Sequence, residues 1–355
     1  MNLENKTICY FGFYRPTAPR DKVYFDGLKE RGYKVIECVD NSPGLLKFFR
    51  LAKKLRSLKG EYDFLWAGYL SGRVVSVAWL FSQKKIFWNV LNSQYERVIL
   101  DRGMHSKFSL RAWIFWWIDF FSFHLSDVSL VETESQKGYL VKEFKINPKK
   151  LVVVFTGADP DVFYPDPEVA KRENFTVMFR GMFLPETGVE YILEAAKLLQ
   201  KESIDFVVMG WGASLLKIES LLKSYNLPRV TLKTEFLPPK VLRELILSCH
   251  VMLGQFGNHP HLDHTIQNKT FEALALGMPY ITRDSRSNRE LLVDGENCVF
   301  VPPADPHSIA NAILDLKNRE DFRNKIGLSA RTTYCEKASP EVLAEQIVEI
   351  IQSAV

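Results

Sequence analysis

Short apolar runs alternate with helical stretches along almost the whole chain, and this alternation restricts the fold more than any other feature. Thr7–Phe13, Tyr33–Val39, Asp63–Tyr69, Lys85–Leu91 and Val128–Thr133 read as strands, with helical stretches such as Val23–Arg31 between them. A second series follows: strand Phe175–Gly181, helix Val189–Lys201, strand Asp205–Gly210, helix Ala213–Tyr225, strand Val230–Thr234, helix Pro239–Ser248 and strand Val251–Phe256. Each crossover in such a series lays a helix on the sheet, so the expected fold class is α/β, with doubly wound parallel sheets. Ligands of these sheets sit beyond the carboxyl ends of the strands. At 355 residues the chain is long enough for two cores. The polar, proline-rich stretch Pro165–Glu173 marks the boundary, giving domains 1–165 and 166–337, then a last helix within 338–355.

Charge and cysteine usage exclude several classes. A formal net charge of +4 is small for this length and does not describe a general nucleic-acid binder. The five cysteines (Cys9, Cys38, Cys249, Cys298, Cys335) are scattered and form no C-x-x-C pair, so neither a zinc site nor a disulfide framework is expected. The first residues lead into a strand with no basic-then-apolar segment, and no run of about 18 uncharged apolar residues occurs. The expectation is a cytoplasmic protein.

Chemistry concentrates in Ile266–Thr282, which reads as helix, tight stop and strand. Asn268 is the expected N-cap. Phe271, Leu274 and Ala275 form an apolar stripe, and Gly277 with Pro279 ends the helix. Lys269, in the first turn, opposes the helix dipole. A bound phosphate removes that conflict, because the ammonium and the first amides (Asn268–Thr270) then point at one anion. Glu272, one turn on, can accept hydrogen bonds from a ribose diol. A solvated lysine beside a surface glutamate is the alternative that spacing leaves open.

N-K-T-F-E-A-L-A-L-G-M-P-Y-I-T, with R-E-L-L-V-D-G-E-N-C-V-F-V-P-P at 289–303, resembles the nucleotide-sugar half of the retaining GT-B glycosyltransferases of the group 1, or family 4, type. Three other stretches agree in order. V-V-V-F-T-G-A-D-P-D-V-F-Y-P at 152–165 is similar to the interdomain segment, F-R-G-M-F-L-P-E-T-G at 179–188 to the first phosphate loop, and V-V-M-G-W-G at 207–212 to the next strand and glycine turn. The resemblance implies two Rossmann-like domains with a cleft between them and a C-terminal helix crossing back. It also implies retaining transfer of a glycosyl group from a nucleoside diphosphate sugar to an acceptor hydroxyl, on a lipid-linked or polysaccharide precursor. It implies no metal and no cofactor, the donor being a substrate. Donor binding then falls to Arg180, Gly181, Gly210, Gly257, Asn258, Asn268, Lys269, Thr270 and Glu272. The chain departs from the family where an arginine and a lysine clamp the diphosphate, having Met182 and Thr187 there, and His264 where a second glutamate is common. These departures keep a nucleotide-sugar epimerase and a non-catalytic binding protein as alternatives. Three histidines and Asp263 between Gly257 and Lys269 match no familiar metal-ligand spacing.

The first half offers weaker candidates. Arg15 and Arg20 lie in the loop after the first strand, where the family faces its acceptor. Asn89, Asn92, Asp101 and Arg102 follow the fourth strand; no histidine directly follows that strand, and Arg15, Asn92 and Asp101 are carried as weak catalytic candidates. Gly44–Gly60 holds Lys47, Arg50, Lys53, Lys54, Arg56 and Lys59 with no acid; on a helical wheel the first four lie opposite Leu45, Phe48, Ala52 and Leu55. That describes either a helix lying in an anionic membrane interface or a basic surface helix packed on its own sheet. Ala112–Leu125 (A-W-I-F-W-W-I-D-F-F-S-F-H-L) reads as a core helix, apolar all round, or as a tryptophan-rich segment dipping into a bilayer behind Lys107 and Arg111.

Overall fold

The structure, a computed structural model, describes residues 6–69, 72–101 and 104–354. The chain divides into two compact units, residues 1–157 with 340–355, and residues 158–339. In chain order the first unit contains β1 (Thr7–Gly12), α1 (Pro19–Glu30), β2 (Lys34–Val39), α2 (Leu46–Ser57), β3 (Phe64–Ala67) and α3 (Gly72–Phe81). It continues with β4 (Ile86–Asn89), α4 (Leu110–Leu125), β5 (Val128–Val131), α5 (Glu134–Phe144) and β6 (Leu151–Val153). The second unit contains β7 (Phe175–Arg180), α6 (Val189–Leu198), β8 (Ile204–Met209), α7 (Leu215–Tyr225), β9 (Val230–Lys233) and α8 (Pro239–Ser248). Then come β10 (Val251–Leu253), α9 (Asn268–Leu276), β11 (Tyr280–Arg283), β12 (Val299–Val301), α10 (Pro306–Asn318) and α11 (Glu320–Lys337). The last helix, α12 (Pro340–Ala354), belongs to the first unit.

Both sheets are parallel, in the orders β2-β1-β3-β4-β5-β6 and β12-β11-β10-β7-β8-β9. Their central strands are buried on both faces, which is why they read as continuous apolar runs rather than alternating ones. β6 was not anticipated: Leu151–Val153 opens the stretch that resembles an interdomain segment, yet it pairs in register with β5. The unit boundary also falls earlier than the proline-rich stretch, at 157/158 against 165/166. Phe163 is buried beneath the Arg180 guanidinium at 5.8 Å from its ring, and the Tyr334 hydroxyl donates to the Ala158 carbonyl at 3.1 Å. Residues 158–165 therefore pack as part of the second unit.

α12 closes on α1 because its apolar positions Leu343, Ala344, Ile347 and Ile351 fall on one side and meet Val23, Tyr24 and Leu28. Gly27 lets the two helices approach this closely: a Cβ there would lie 2.3 Å from the Pro340 carbonyl oxygen.

Two polar hubs fix the carboxyl edge of the first sheet. Arg20 is buried, and its guanidinium donates to the carbonyls of Val90, Val131 and Val154 at 3.2, 3.1 and 2.7 Å and to the Tyr24 hydroxyl at 2.6 Å. It ties together the chain leaving three neighbouring strands, which removes it as an acceptor contact. Asp21 is also buried and accepts from the Tyr10 hydroxyl, the Trp66 indole, the Tyr69 amide and the Asn89 side-chain amide. Asn89 is thus occupied as a strut. Burial raises the Asp21 carboxyl above its ordinary range, with the four donors opposing the rise.

α4 corrects the expectation of a core helix. Its buried residues are Ala112, Asp119, Ser122 and Phe123, whereas Leu110, Trp113, Ile114 and Phe121 are exposed. The polar side faces inward because it has partners there: Asp119 accepts from the Tyr95 amide at 2.7 Å, and the Ser122 hydroxyl donates to the Gly72 carbonyl at 2.7 Å. α2 buries Leu51, Ala52 and Leu55 and packs Phe48 against the same core, while Leu45, Leu46 and Phe49 stay exposed.

Candidate functional site

The second sheet changes winding direction between β7 and β10. At such a switch point the loops leaving neighbouring strands part and leave a crevice. Three loops lie at this edge, held by close backbone contacts. A Cβ on Gly210 would sit 1.9 Å from the Gly181 carbonyl oxygen, and one on Gly257 would sit 2.0 Å from that of Glu186. Backbone bonds join the same loops, Phe183 amide to Trp211 carbonyl at 2.7 Å and Phe256 amide to Thr187 carbonyl at 3.1 Å. Gly210→Ala therefore forces these loops apart. We expect it to cost about 1–3 kcal/mol of stability, read as a lowered thermal midpoint; an unchanged midpoint would contradict this packing.

α9 begins beside these loops. Gln267, not Asn268, occupies the N-cap position, and no side chain caps the helix. Asn268 is the first helical residue and is exposed. The amides of Asn268 and Lys269 thus precede the first in-helix hydrogen bonds, where a helix leaves its donors unmatched. Thr270 differs: its amide is bonded to the Gln267 carbonyl at 2.8 Å and its hydroxyl to the Tyr280 hydroxyl at 3.0 Å, so it anchors α9 to β11 rather than reaching a ligand. Gly277 ends the helix at φ 66°, as its position suggests.

Lys269 is only 6% exposed. Its ammonium lies 4.6 Å from the centroid of the Phe179 ring and so near Gly181 that a Cβ there would come within 2.8 Å of Nζ. Burial pushes the ammonium down to about 7; Arg180 deepens the depression and Glu272 opposes it. A lysine at this pKa is easily discharged and gains a proton when an anion arrives. Glu272 is occupied by Arg180, whose Nη1 donates to its two carboxylate oxygens at 2.7 and 2.5 Å. Arg180, the last residue of β7, therefore joins this cluster. The three side chains Arg180, Lys269 and Glu272 form one charged group at the start of one helix.

Thr187, at one of the positions where a diphosphate-clamping cation is common, is buried and donates its hydroxyl to the Leu184 carbonyl at 2.7 Å. Met182, at the other, is exposed. The cationic side chains at this edge are thus Arg180 of β7 and Lys269 of α9. Asn258 is exposed beyond Gly257. The Gly257 and His259 carbonyls both accept from the Arg283 guanidinium, which also pairs with Asp263 at 2.9 Å. Arg283 was not anticipated; it follows an apolar strand and pins a loop some twenty residues earlier, a link that no local pattern carries. Among the described residues no three His, Cys, Asp or Glu side chains converge as a metal site requires. In the first unit Arg15 is exposed, and Asn92 has a side-chain oxygen without a partner among the described residues. Asp101 ends a π-helical turn (Glu96–Asp101); its side chain, like Arg102, lies outside the described residues.

Residues 163–333 match the family model described as glycosyl transferases group 1. These residues are a group 1 glycosyltransferase domain. Sequence relatives include an alpha-D-kanosaminyltransferase of Streptomyces kanamyceticus, 26% identical over 177 residues, 49% of this chain and 44% of that protein. A capsular polysaccharide biosynthesis glycosyltransferase of Staphylococcus aureus is 24% identical over 183 residues, 50% of this chain and 45% of its own length. An uncharacterised glycosyltransferase of Methanocaldococcus jannaschii is 24% identical over 190 residues, 53% of this chain and 50% of its own. The chain thus spans about half the length of these relatives. Among solved structures, Anabaena HepE in complex with UDP and glucose superposes with a TM-score of 0.76 at 14% identity, over 98% of this chain and all of that one. A sucrose-phosphate synthase of Thermosynechococcus elongatus gives 0.77 at 15% identity, over 99% of each chain. The fold is GT-B, and the group 1 domain contains the loops around Gly181, Gly210 and Gly257 together with the first turn of α9.

Proposed function

We propose that the chain is a glycosyltransferase that holds a nucleoside diphosphate sugar at the start of α9 and transfers the sugar to an acceptor hydroxyl with retention of configuration. The acceptor is a lipid-linked or polysaccharide precursor. The observation that carries this reading is the buried Lys269 at an uncapped helix start, beside the switch point of a parallel sheet. An ammonium driven to near-neutral pKa by burial is held at a cost unless an anion completes it. A diphosphate supplies that anion and also receives the two free amides of Asn268 and Lys269.

The chemistry follows from where charge develops. As the bond from the anomeric carbon to the diphosphate breaks, its electron pair goes to the leaving oxygen, and negative charge grows on the diphosphate. In this reading Lys269, the α9 amides and the Arg180 guanidinium stabilise that charge, which is the kind of term that dominates such catalysis. The acceptor oxygen forms the new bond to the anomeric carbon and passes its proton to the departing diphosphate oxygen. Attack on the face the diphosphate leaves does not call for a strong protein base. Glu272 takes the ribose hydroxyls once a donor draws Arg180 toward phosphate.

Incubation with radiolabelled UDP- and GDP-sugars and a lipid extract tests the proposal. Transfer of label into lipid or glycan is expected. An isomerised donor without transfer identifies an epimerase instead, and stoichiometric binding without turnover identifies a binding protein; either would overturn the reading.

A further inference from the structure

We propose that the groove between α2, α3 and α4 of the first unit seats a hydrocarbon chain of an anionic phospholipid bilayer, with the basic residues of α2 resting on the headgroups. This deepens the lipid-acceptor part of the proposed function by giving the first unit a membrane-docking face. It does not depend on the donor site.

α4 is apolar on two sides: Trp116, Phe120 and Phe123 pack on the core, and a second apolar stripe remains. Leu110, Trp113, Ile114, Trp117, Ile118 and Phe121 recur at the spacing of a single helical face, the pattern of a stripe that seeks apolar cover. In this unit that stripe turns outward: Trp113 is 62% exposed and Phe121 49%, while Asp119 and Ser122 face inward. The stripe borders a groove of about 740 Å³, to which α2 and the residue before it add Phe48 and Leu45. That volume lies in the range of pockets that enclose a whole small molecule, about 300–1,000 Å³. The polar lining residues are Arg73 and Ser76, and the Arg73 guanidinium is engaged, donating to the Gln94 side chain at 2.8 Å and lying 5.3 Å from the Phe115 ring. The groove thus suits a hydrocarbon chain better than a polar ligand.

Charge selects the bilayer among apolar partners. Arg50, Lys53, Lys54, Arg56 and Lys59 are exposed on or just past α2, and Lys107 and Arg111 flank the start of α4. Among the described residues, Arg50 is the α2 cation paired with an acid, Asp40 at 2.5 Å. Leu45, Leu46, Phe49 and Phe108 project from the same two helix starts, each at least 66% exposed. Cations beside aromatic and aliphatic side chains are what a surface lying in an anionic interface presents. A second copy of this chain would bring a like-charged α2 and be repelled. α4 is about 24 Å long, and no helix among the described residues is long and apolar enough to cross a membrane, so the contact is interfacial.

Flotation of the full chain with vesicles of phosphatidylcholine, and of phosphatidylcholine with an equal part of phosphatidylglycerol, tests this without any nucleotide. Binding to the mixed vesicles is expected, weakening with salt, with tryptophan fluorescence quenched by lipids brominated on their acyl chains. Lys53→Gln with Lys54→Gln is expected to weaken binding about thirtyfold, at about 1 kcal/mol for each charge near the surface. Ile114→Ser with Phe121→Ser, at exposed positions that leave the core intact, is expected to remove the quenching. The proposal is overturned if wild-type protein ignores the anionic vesicles, if it adsorbs without quenching, or if the groove substitutions instead dissolve a dimer formed in the absence of lipid. Donor binding measured on the same variants stays unchanged, so a failed donor assay and a failed vesicle assay are separate results.

Discussion

Lys269→Met lowers turnover with the sugar donor by about 10²–10³-fold, the loss expected when one preorganised donor to a developing oxyanion is removed. Methionine keeps the stem packed against Phe179 and Gly181 but carries no charge. Its stability should therefore move the other way. A buried ammonium is relieved, and the thermal midpoint rises by about 2–4 °C for each kcal/mol regained. A variant that is more stable and nearly inactive separates a binding group from a structural one; lower stability with unchanged activity would mark Lys269 as a strut.

The same residue gives a pH signature. Burial holds the Lys269 ammonium at about 7, below its ordinary 10.5. Unfolded chain therefore binds more protons between those values, so this residue's contribution to stability rises with pH across that window and is least favourable below it. For binding, the ammonium is already charged well below pH 7, and an anionic donor takes up almost no proton there. At pH 8 the lysine is mostly neutral and donor binding should draw in close to one proton per site. Calorimetry of a nucleoside diphosphate sugar in buffers of different ionisation heat measures this uptake, and Lys269→Met should abolish it. Equal uptake in the variant would assign the proton to another group.

Arg20→Ala should unfold the first unit or leave it barely stable. Three carbonyls that accept from the guanidinium would be left in the interior at the ends of β4, β5 and β6. Hydrogen bonds to a charged group contribute about 1.5–3 kcal/mol each. Losing this set costs about 4 kcal/mol or more, against the roughly 5–15 kcal/mol that holds a typical domain together. Urea unfolding followed by tryptophan emission, which arises largely from the first unit, reads this directly. A midpoint within error of wild type would show that the carbonyls find other partners.

Arg20 also shows where sequence reading stops. In the chain it is a charged residue in a loop, and acceptor contact is a reasonable expectation. Its partners lie 70, 111 and 134 residues away, so only the closed sheet reveals them. Arg180 is the converse case. Strand alternation gave no firm direction for it, but Glu272, 92 residues later, captures it. What was legible is what local physics decides: the strand and helix periods, the glycine stop at Gly277, and the lysine set against a helix dipole. Helix N-caps were less legible, since Asn268 is a good cap by type but lies one residue inside the helix. The α4 segment was legible as a helix apolar all round, but which side turns inward was not. Periodicity says which residues share a face, whereas Asp119, which accepts from the Gln94 and Tyr95 amides and the Ser93 side chain, decides which face turns inward.

A crystal structure with a bound nucleoside diphosphate tests the central claim most directly. The expected map shows the diphosphate within about 2.7–3.2 Å of Lys269 Nζ and of the Asn268 and Lys269 amides, with Arg180 released from Glu272 toward phosphate and Glu272 on the ribose. A nucleotide lodged elsewhere, with Lys269 still buried against Phe179 and touching no phosphate, would contradict it.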